Sequence, residues 1–227
     1  MNAIILAGGK GSRMKEISDT PKVLLPVQGK PILEHAISNL IDYGAKKIYI
    51  SVGEIPGEID NWIEDNSNRY ELEIVNDHPG TLGNSFGVLQ SMNISNDISL
   101  LAYGDTIFDL PIEKMLKFHI QNQNDITVLV RDTDHPIDSD LAWVDEGDVK
   151  FSKYPHAFND FSGKLGVSAF YILSPQSFDT LLSKEYSEWF ELIKHFNDSG
   201  KKIGLYKLDK GYIRDLGTPL RYKKFLK

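Results

Sequence analysis

Short apolar runs alternate along this chain with segments in which apolar residues recur every three or four positions. The first run, Ala3–Leu6, is apolar throughout and ends at a glycine-rich turn, which is typical of a buried strand. The segment Pro31–Tyr43 carries its apolar residues on one helical face and begins with a proline suited to a first turn. The start of the chain therefore predicts a strand, a loop and a helix.

Repeats of this pattern predict the remaining elements of residues 1–130. We expect strands at Lys47–Val52, Leu72–Val75, Ile98–Tyr103 and Asp125–Val130, and helices at Glu58–Glu64, Ser85–Met92 and Ile112–Gln123. The alternation favours an α/β fold of three αβα layers, Rossmann-like, with a mostly parallel mixed sheet. Ligands of such sheets bind beyond the carboxyl ends of the strands.

After about residue 140 the pattern changes to strands in succession, followed by two amphipathic segments. We expect strands at Leu141–Val144, Val149–Tyr154, Leu165–Leu173, Lys202–Leu208 and Tyr212–Asp215, and helices at Gln176–Leu182, Glu188–Phe196 and Pro219–Phe225. No linker separates the two parts, so we expect residues 131–227 to complete the same sheet within one domain over residues 1–227.

Composition narrows the class of protein. With 227 residues, 41% of them hydrophobic, the chain can bury a core, and it has no cysteine for disulfides or thiolate chemistry. A net charge of −7 argues against nucleic acid as a partner. The N-terminus lacks a basic region and a long apolar run, so we expect a cytoplasmic protein without membrane association. The sequence is compatible with a monomer or with a homo-oligomer.

The glycine-rich turn after the first strand carries the strongest chemical signal. Glycines let the backbone approach a ligand and offer N–H groups to phosphate oxygens, while Arg13 and Lys22 add positive charge. A polyphosphate is the expected guest, although glycines alone would also suit an ordinary tight turn. The segment is neither a Walker A loop nor a dinucleotide fingerprint.

Two carboxylates lie at ends of predicted strands. Asp105 directly follows Gly104, and Asp215 precedes Gly-Thr-Pro. Magnesium is bound in proteins by one or two carboxylates together with phosphate oxygens and water. Each aspartate would equally suit a turn or the start of a helix. The six histidines show no metal-ligand spacing, and we expect them to be surface or core residues.

Together, the glycine turn with its Arg and downstream Pro-Lys resembles the N-terminal signature of the sugar-1-phosphate nucleotidyltransferases, closely over the first thirty-odd residues and more loosely beyond. The resemblance implies that residues 1–130 bind a nucleoside triphosphate, residues 131–227 bind a sugar 1-phosphate, and Mg²⁺ is the cofactor. It implies nucleotide binding by Leu6, Ala7, Gly8, Gly9, Gly11, Ser12, Gly80, Thr81, Gly83 and Gly104. It also implies phosphate contacts by Arg13, Lys22 and Lys153, a sugar-side role for Lys153 and Gly166, and metal binding by Asp105 and Asp215.

The motifs do not distinguish between several possible substrates. The closing Asp-Leu-Gly-Thr-Pro segment resembles guanylyltransferases of mannose or heptose 1-phosphate, whereas the front end also resembles amino-sugar uridylyltransferases. Cytidylyltransferases of phosphocholine or other non-sugar phosphates share that front end. A glycosyltransferase would normally show Asp-x-Asp, which is missing after Gly104. A catalytically silent, nucleotide-sensing relative is the remaining alternative, and it should have lost a phosphate cation or a metal carboxylate.

Overall fold

A computed structural model describes residues 1–9, 11–53, 57–76, 97–179 and 189–227. The strands within these ranges are β1 (Asn2–Leu6), β2 (Pro26–Val27), β3 (Lys30–Pro31), β4 (Ile48–Val52), β5 (Leu72–Asn76), β6 (Ser99–Tyr103), β7 (Thr106–Asp109), β8 (Ile126–Arg131), β9 (Leu141–Asp145), β10 (Asp148–Ser152), β11 (Leu165–Leu173), β12 (Ile203–Lys207) and β13 (Tyr212–Asp215). The helices are α1 (Ile32–Asp42), α2 (Glu58–Asn66), α3 (Ile112–Gln121), α4 (Trp189–Asp198) and α5 (Pro219–Phe225).

Nine of the described strands form one sheet. Its order is β10-β9-β11-β6-β1-β4-β5, with β8 paired to both β11 and β12. β1 pairs in parallel with β4 and β6, β4 with β5, and β12 with β8, whereas β11 and β10 run against their neighbours. The sheet is therefore mixed and mostly parallel, and it contains strands from both halves of the chain.

Alternate residues of the strands face two separate hydrophobic cores. On one side Ile5 and Ile50 pack with α1 residues such as Leu33 and Ile37. On the other side Ile4 and its neighbours pack with the α4 residues Trp189, Leu192, Ile193 and Phe196. Because central strands such as β1 and β4 are buried on both faces, their sequences are nearly all apolar rather than alternating. Helices cover both faces, which gives the three-layer αβα arrangement predicted from the sequence.

A smaller core lies beside the sheet. β7 and β13 form a separate antiparallel pair, in which Thr106 faces Asp215 and Ile107 faces Arg214. Ile107 packs with residues from the first loop region and from the C-terminal segment, namely Met14, Leu25, Val27, Ile32, Leu216 and Tyr222. This cluster joins parts of the chain that are about 200 residues apart, and both parts carry predicted site residues.

Most expected elements are present with shifts of one or two residues at their ends. The strand expectation for Tyr212–Asp215 is confirmed, but this strand pairs with β7 outside the main sheet, and β7 itself was not expected. The helix expected at Gln176–Leu182 is a 3₁₀ turn over its described part, Pro175–Asp179. The helix expected at Ser85–Met92 lies outside the described residues. No helix in the described ranges is long and apolar enough to cross a bilayer.

Candidate active site

The loop after β1 is held by the backbone on both sides. Ala7 donates its N–H to the carbonyl of Ser51 at 2.8 Å, and Leu6 accepts from Gly104 at 2.9 Å. Gly11 then adopts a left-handed conformation with φ of 58° and starts the 3₁₀ turn Ser12–Met14. A glycine is favoured there because a side chain makes this conformation costly.

This loop forms one wall of a cavity of about 260 Å³. The cavity is lined by loop residues, by the segment before Lys22 and by the start of α2: Ala7, Gly8, Gly9, Gly11, Lys15, Ser18, Asp19, Thr20, Pro21, Lys22, Val52, Gly53, Gly57, Glu58, Ile59 and Asp60. Four of the residues predicted to approach a nucleotide, Ala7, Gly8, Gly9 and Gly11, therefore line one concave surface beyond the carboxyl ends of β1 and β4, where α/β sheets bind ligands.

Lys22 connects the loop to the first predicted carboxylate. A Cβ built on Gly9 would lie 3.5 Å from the Lys22 Nζ atom, so the ammonium is directly beneath the loop backbone. The same Nζ atom donates to Asp105 Oδ2 at 2.5 Å. Both side chains are largely shielded, with exposed fractions of 20% and 10%. A shielded pair of this kind keeps its strength better than a surface pair, because water screens it less.

Asp105 is positioned by close packing at the end of β6. A Cβ on Gly104 would lie 3.2 to 3.3 Å from atoms of Ile5, Ala7 and Leu6, so a larger residue would push β6 away from β1. The Asp105 carbonyl accepts from Leu216 N–H at 2.9 Å, which fixes the segment after β13 against it. Gly104 thus has a packing role, and its predicted contact with a nucleotide stays a prediction.

The carboxylate of Asp215 meets that of Asp105 at Gly217. A Cβ built on Gly217 would lie 2.7 Å from Asp105 Oδ2 and 2.9 Å from Asp215 Oδ1. The Gly217 N–H donates to Asp215 Oδ1 at 2.6 Å, while the Arg221 guanidinium donates to Asp215 Oδ2. The two oxygens of Asp215 therefore face different groups: one faces Asp105 and the other faces Arg221.

The small core beside the sheet holds these parts together. The Tyr222 hydroxyl of α5 donates to the carbonyl of Pro26 at 2.7 Å, which ties the C-terminal helix to the region after the glycine loop. Thr218 caps α5 by accepting from the Arg221 N–H, and Pro219 occupies the first helical position. The start of α5, and with it Asp215, is thereby set against Asp105 by packing and hydrogen bonds.

The donor set resembles that of a magnesium site rather than a zinc site. Among the described residues, no group of three or more His, Cys, Asp or Glu side chains could hold a metal. Two carboxylates that meet at one glycine are nevertheless enough for Mg²⁺, which takes its remaining ligands from phosphate and water. In this structure the ammonium of Lys22 neutralises Asp105.

The other predicted site residues make no contact with Asp105 or Asp215 in the described ranges. Arg13 is exposed, and its side chain has no hydrogen-bond or ion-pair partner in the described ranges. Lys153 follows β10, and its Nζ lies 3.8 Å from Glu191 of α4, so its predicted phosphate contact stays a prediction. Gly166 faces Arg131 in the β11–β8 ladder. The residues Gly80, Thr81 and Gly83, and the side chain of Ser12, lie outside what the structure describes.

Two residues of this region were not among the site residues predicted from the sequence. Gly217 leaves room for the two carboxylates, and Arg221 contacts Asp215. The spacing of Asp215 and Arg221 around a helix start could have indicated a local contact.

Three of the histidines lie in ordinary hydrogen-bonded positions. His119 is buried, with Nδ1 2.8 Å from the Thr127 hydroxyl and Nε2 2.9 Å from the Ser174 hydroxyl. Burial lowers the pKa of His119 to about 4. His35 and His156 contact backbone carbonyls. These three positions agree with the expectation of core or surface residues.

A family model and several curated relatives match most of this chain. The family model described as the MobA-like NTP transferase domain matches residues 3–185. A mannose-1-phosphate guanylyltransferase catalytic subunit beta from Drosophila melanogaster is 26% identical over 225 residues, covering 96% of this chain and 59% of that protein. A bifunctional protein GlmU from Methanococcus maripaludis is 30% identical over 228 residues, covering 96% of this chain and 52% of that protein. The chain thus spans little more than half the length of these curated relatives.

A solved structure shows the same fold over almost the whole chain. The inositol-1-phosphate CTP transferase from T. maritima superposes with a TM-score of 0.77, covering 99% of this chain and 93% of that one. Its sequence identity is 18%, so this likeness concerns the fold. It agrees with the α/β architecture of three layers predicted from the sequence.

Proposed function

The chain belongs to the family of MobA-like NTP transferase domains, and from that premise we propose that it transfers a nucleoside monophosphate from a nucleoside triphosphate to a sugar 1-phosphate. The contact that carries the proposal is the ion pair between Lys22 and Asp105. It joins the phosphate-binding loop to the convergent carboxylates, so one ligand could engage both. The relatives named for mannose 1-phosphate support a hexose as the sugar, and a heptose stays the alternative drawn from the sequence resemblance.

In this proposal the triphosphate lies along the loop after β1. The backbone N–H groups of Gly8, Gly9 and Gly11 face its oxygens, and the absence of side chains allows the close approach. Arg13, exposed and without a partner in the described ranges, can turn toward the phosphates. Lys22, already beneath the loop, needs only to exchange one oxygen partner for another.

The Asp105 and Asp215 side chains would hold Mg²⁺. The bound ion would neutralise the charge that accumulates on the phosphates during transfer. Gly217 keeps the space between the two carboxylates free, because a Cβ there would stand within 2.7 Å of one of them. The ion pair with Lys22 supports this role, since it shows a cation already balancing Asp105.

The chemical step is a displacement at the α-phosphorus. An oxygen of the acceptor's phosphate forms a bond to this phosphorus, while the bond to the bridging oxygen of the β-phosphate breaks and pyrophosphate leaves with the electron pair. A phosphate monoester is largely ionised near neutral pH, so no general base is needed. The protein therefore contributes position and charge neutralisation.

A second acceptor class is favoured by one observation. The Lys164 ammonium lies 5.1 Å from the ring centre of Trp143 and 4.9 Å from that of Phe158. Aromatic faces that hold an ammonium group can also hold a quaternary ammonium ligand. A cytidylyltransferase acting on a cationic alcohol phosphate such as phosphocholine is therefore the second candidate, with Lys164 displaced by the substrate.

A pyrophosphate-release screen tests these proposals. GTP, CTP, UTP, dTTP and ATP are each combined with hexose 1-phosphates, heptose 1-phosphates, inositol 1-phosphate and phosphocholine, with and without Mg²⁺. Mg²⁺-dependent release with a sugar 1-phosphate supports the first proposal, and release with CTP and phosphocholine supports the second. Absence of release with every pair contradicts both and favours a silent, nucleotide-sensing protein.

A further inference from the structure

The ammonium of Lys22 binds the Asp105 oxygen that a metal ion shared with Asp215 would need. Its Nζ atom donates to Asp105 Oδ2 at 2.5 Å. That oxygen is the one turned toward Asp215, because it lies 2.7 Å from a Cβ built on Gly217, whereas Oδ1 lies no closer than 3.7 Å. Mg²⁺ binds carboxylate oxygens at about 2.0–2.1 Å. The same oxygen cannot serve both cations well, because at such short distances they repel each other.

The other cation of this centre contacts the other oxygen of Asp215. The Arg221 guanidinium donates to Asp215 Oδ2, whereas Oδ1 accepts from the Gly217 N–H and faces Asp105. A metal ion between the two carboxylates is therefore compatible with the Arg221 contact but not with the Lys22 contact. Among the described side chains, Lys22 is thus the one with which a metal ion must compete.

Separation of Lys22 from Asp105 is unfavourable while no other ligand is bound. The exposed fractions of the two side chains are 20% and 10%, so water replaces only part of the lost contact. A hydrogen bond between charged groups is stronger than a neutral one, and removal of one partner leaves a shielded charge unpaired. A metal ion alone would therefore gain a carboxylate only at the expense of the ammonium.

A polyphosphate on the loop after β1 would give the ammonium a new partner. A Cβ built on Gly9 would lie 3.5 Å from Lys22 Nζ, so the loop backbone and the ammonium face the same space. In the described ranges Asp105 is the hydrogen-bond partner of this ammonium, which carries further N–H donors. Phosphate oxygens at the loop could replace Asp105 as the acceptor, and Asp105 Oδ2 would then be released for a metal ion.

We propose that the Lys22–Asp105 pair is an autoinhibitory contact, which keeps metal ions out of the free protein and is released when a polyphosphate binds. This inference rests on the proposed function. Loss of the ammonium frees the carboxylate for metal, and loss of the carboxylate frees the ammonium for phosphate. Because coupling between two ligands is reciprocal, each ligand raises the affinity for the other. The protein therefore binds its metal ion together with the triphosphate and not before it.

Metal binding without nucleotide gives the first test. Mn²⁺ is titrated into nucleotide-free wild type and Lys22→Met, and the free ion is measured by its EPR signal. We expect Lys22→Met to bind Mn²⁺ about tenfold more tightly, because Asp105 no longer holds an ammonium. Lys15→Met is the matched control, since Lys15 lines the same cavity but makes no hydrogen bond or ion pair with Asp105 in the described ranges. Its Mn²⁺ affinity should stay within about threefold of wild type.

Polyphosphate binding without metal gives the reciprocal test. Inorganic tripolyphosphate is titrated calorimetrically, in the presence of EDTA, into wild type, Asp105→Asn and Asp215→Asn. We expect Asp105→Asn to bind it about tenfold more tightly, since the Lys22 ammonium has no carboxylate to leave. Asp215→Asn removes an equal charge from the same centre but no partner of Lys22, so its affinity should stay within about threefold of wild type. This arm decides the question even if Lys22→Met does not fold.

The inference is wrong if the Mn²⁺ affinity is unchanged in Lys22→Met, or if the tripolyphosphate affinity is unchanged or weaker in Asp105→Asn. Either result would show that the ion pair does not compete with ligands. An equal gain of affinity in the control variants Lys15→Met and Asp215→Asn would also overturn it, because the gain would then be a general effect of charge.

Failure of the proposed function has a different signature. In that case no substrate pair releases pyrophosphate, yet Lys22→Met and Asp105→Asn still gain affinity for Mn²⁺ and tripolyphosphate. Such a result would leave the coupling between metal and polyphosphate intact and would remove nucleotide transfer as its purpose. Pyrophosphate release without these gains of affinity would instead support the transfer reaction and contradict the autoinhibitory contact.

Discussion

The carboxylates of Asp105 and Asp215 meet at the backbone of Gly217, with Asp105 Oδ2 and Asp215 Oδ1 at 2.7 and 2.9 Å from the point where a side chain would begin. These aspartates are 110 positions apart in the sequence: Asp105 lies in the turn between β6 and β7, and Asp215 is the last residue of β13. Their meeting point depends on the β7–β13 pair and on the hydrogen bond from Leu216 to the Asp105 carbonyl. The space at Gly217 is therefore a functional requirement of the proposed metal site.

Gly217→Ala should disable the site without unfolding the protein. The added methyl group would displace both carboxylates, and misplacement of catalytic groups by about 1 Å can reduce a rate about 100-fold. We expect kcat to fall to that extent and the Mg²⁺ concentration for half-maximal activity to rise. Far-UV circular dichroism should be unchanged. A Gly217→Ala protein with the wild-type Mg²⁺ dependence would contradict the assignment.

Removal of either partner of the Lys22–Asp105 pair should abolish turnover. Asp105→Asn removes a carboxylate from the metal, and Lys22→Ala removes a phosphate cation, so each should lower kcat by about 100-fold or more. Lys22→Ala also leaves a buried carboxylate unpaired, which should lower the free energy of unfolding by about 1–3 kcal/mol. Lys47→Ala is the control, because it breaks an exposed pair with Glu73 elsewhere on the sheet. Full activity in a purified, folded Asp105→Asn would refute the role.

Gly9→Ala should separate ligand binding from stability. Among the described residues, the new Cβ would come no closer than 3.5 Å to any atom, so the free energy of unfolding should change by less than about 0.5 kcal/mol. The methyl group would, however, occupy the space above the Lys22 ammonium where a phosphate must lie. We expect KM for the triphosphate to rise about tenfold, measured by pyrophosphate release at saturating acceptor. An unchanged KM would argue against phosphate binding along this loop.

The free energy of unfolding should decrease as the pH is lowered, because His119 is buried in its neutral form. Its pKa is lowered to about 4 in the folded protein by burial, from an ordinary value of 6.5. Between these values the imidazole is protonated in the unfolded chain but neutral in the folded protein. The free energy of unfolding is therefore highest above pH 6.5 and declines as the pH falls toward 4. The loss amounts to about 3 kcal/mol over this window.

Urea denaturation at several pH values measures this effect. His119→Gln keeps a neutral polar side chain at the position and should lose the corresponding part of the pH dependence. His195, which lies on α4, provides a matched control as His195→Gln. Parallel pH profiles for wild type and His119→Gln would show that the buried histidine is not responsible.

Much of the fold could be predicted because its signals are local. β1, α1 and β11 are continuous apolar or amphipathic segments, and their existence depends on residues close together in the sequence. The four residues of β7 could not be distinguished from a loop, since their strand conformation comes from pairing with β13 about 100 positions later. Local propensity carries no information about such a partner.

In the candidate site, too, some residues could be predicted from local sequence and others could not. Glycines after β1 and an aspartate after β6 are visible as strand-end residues, and the sheet places both at its ligand edge. The contact of Lys22 with Asp105 bridges 83 positions and follows from the fold, not from the motif. The role of Gly217 was not predicted, because the two carboxylates that it separates come from parts of the chain that only the assembled molecule brings together.

The central claim is that Asp105 and Asp215 share one metal ion beside the loop that binds the triphosphate. Crystals grown with Mn²⁺ and a non-hydrolysable triphosphate allow the ion to be located by its anomalous scattering. The account predicts one peak in coordination distance of both carboxylates and of the triphosphate, with Lys22 moved from Asp105 to a phosphate oxygen. A peak that contacts neither aspartate, or a triphosphate bound away from the loop after β1, would contradict it.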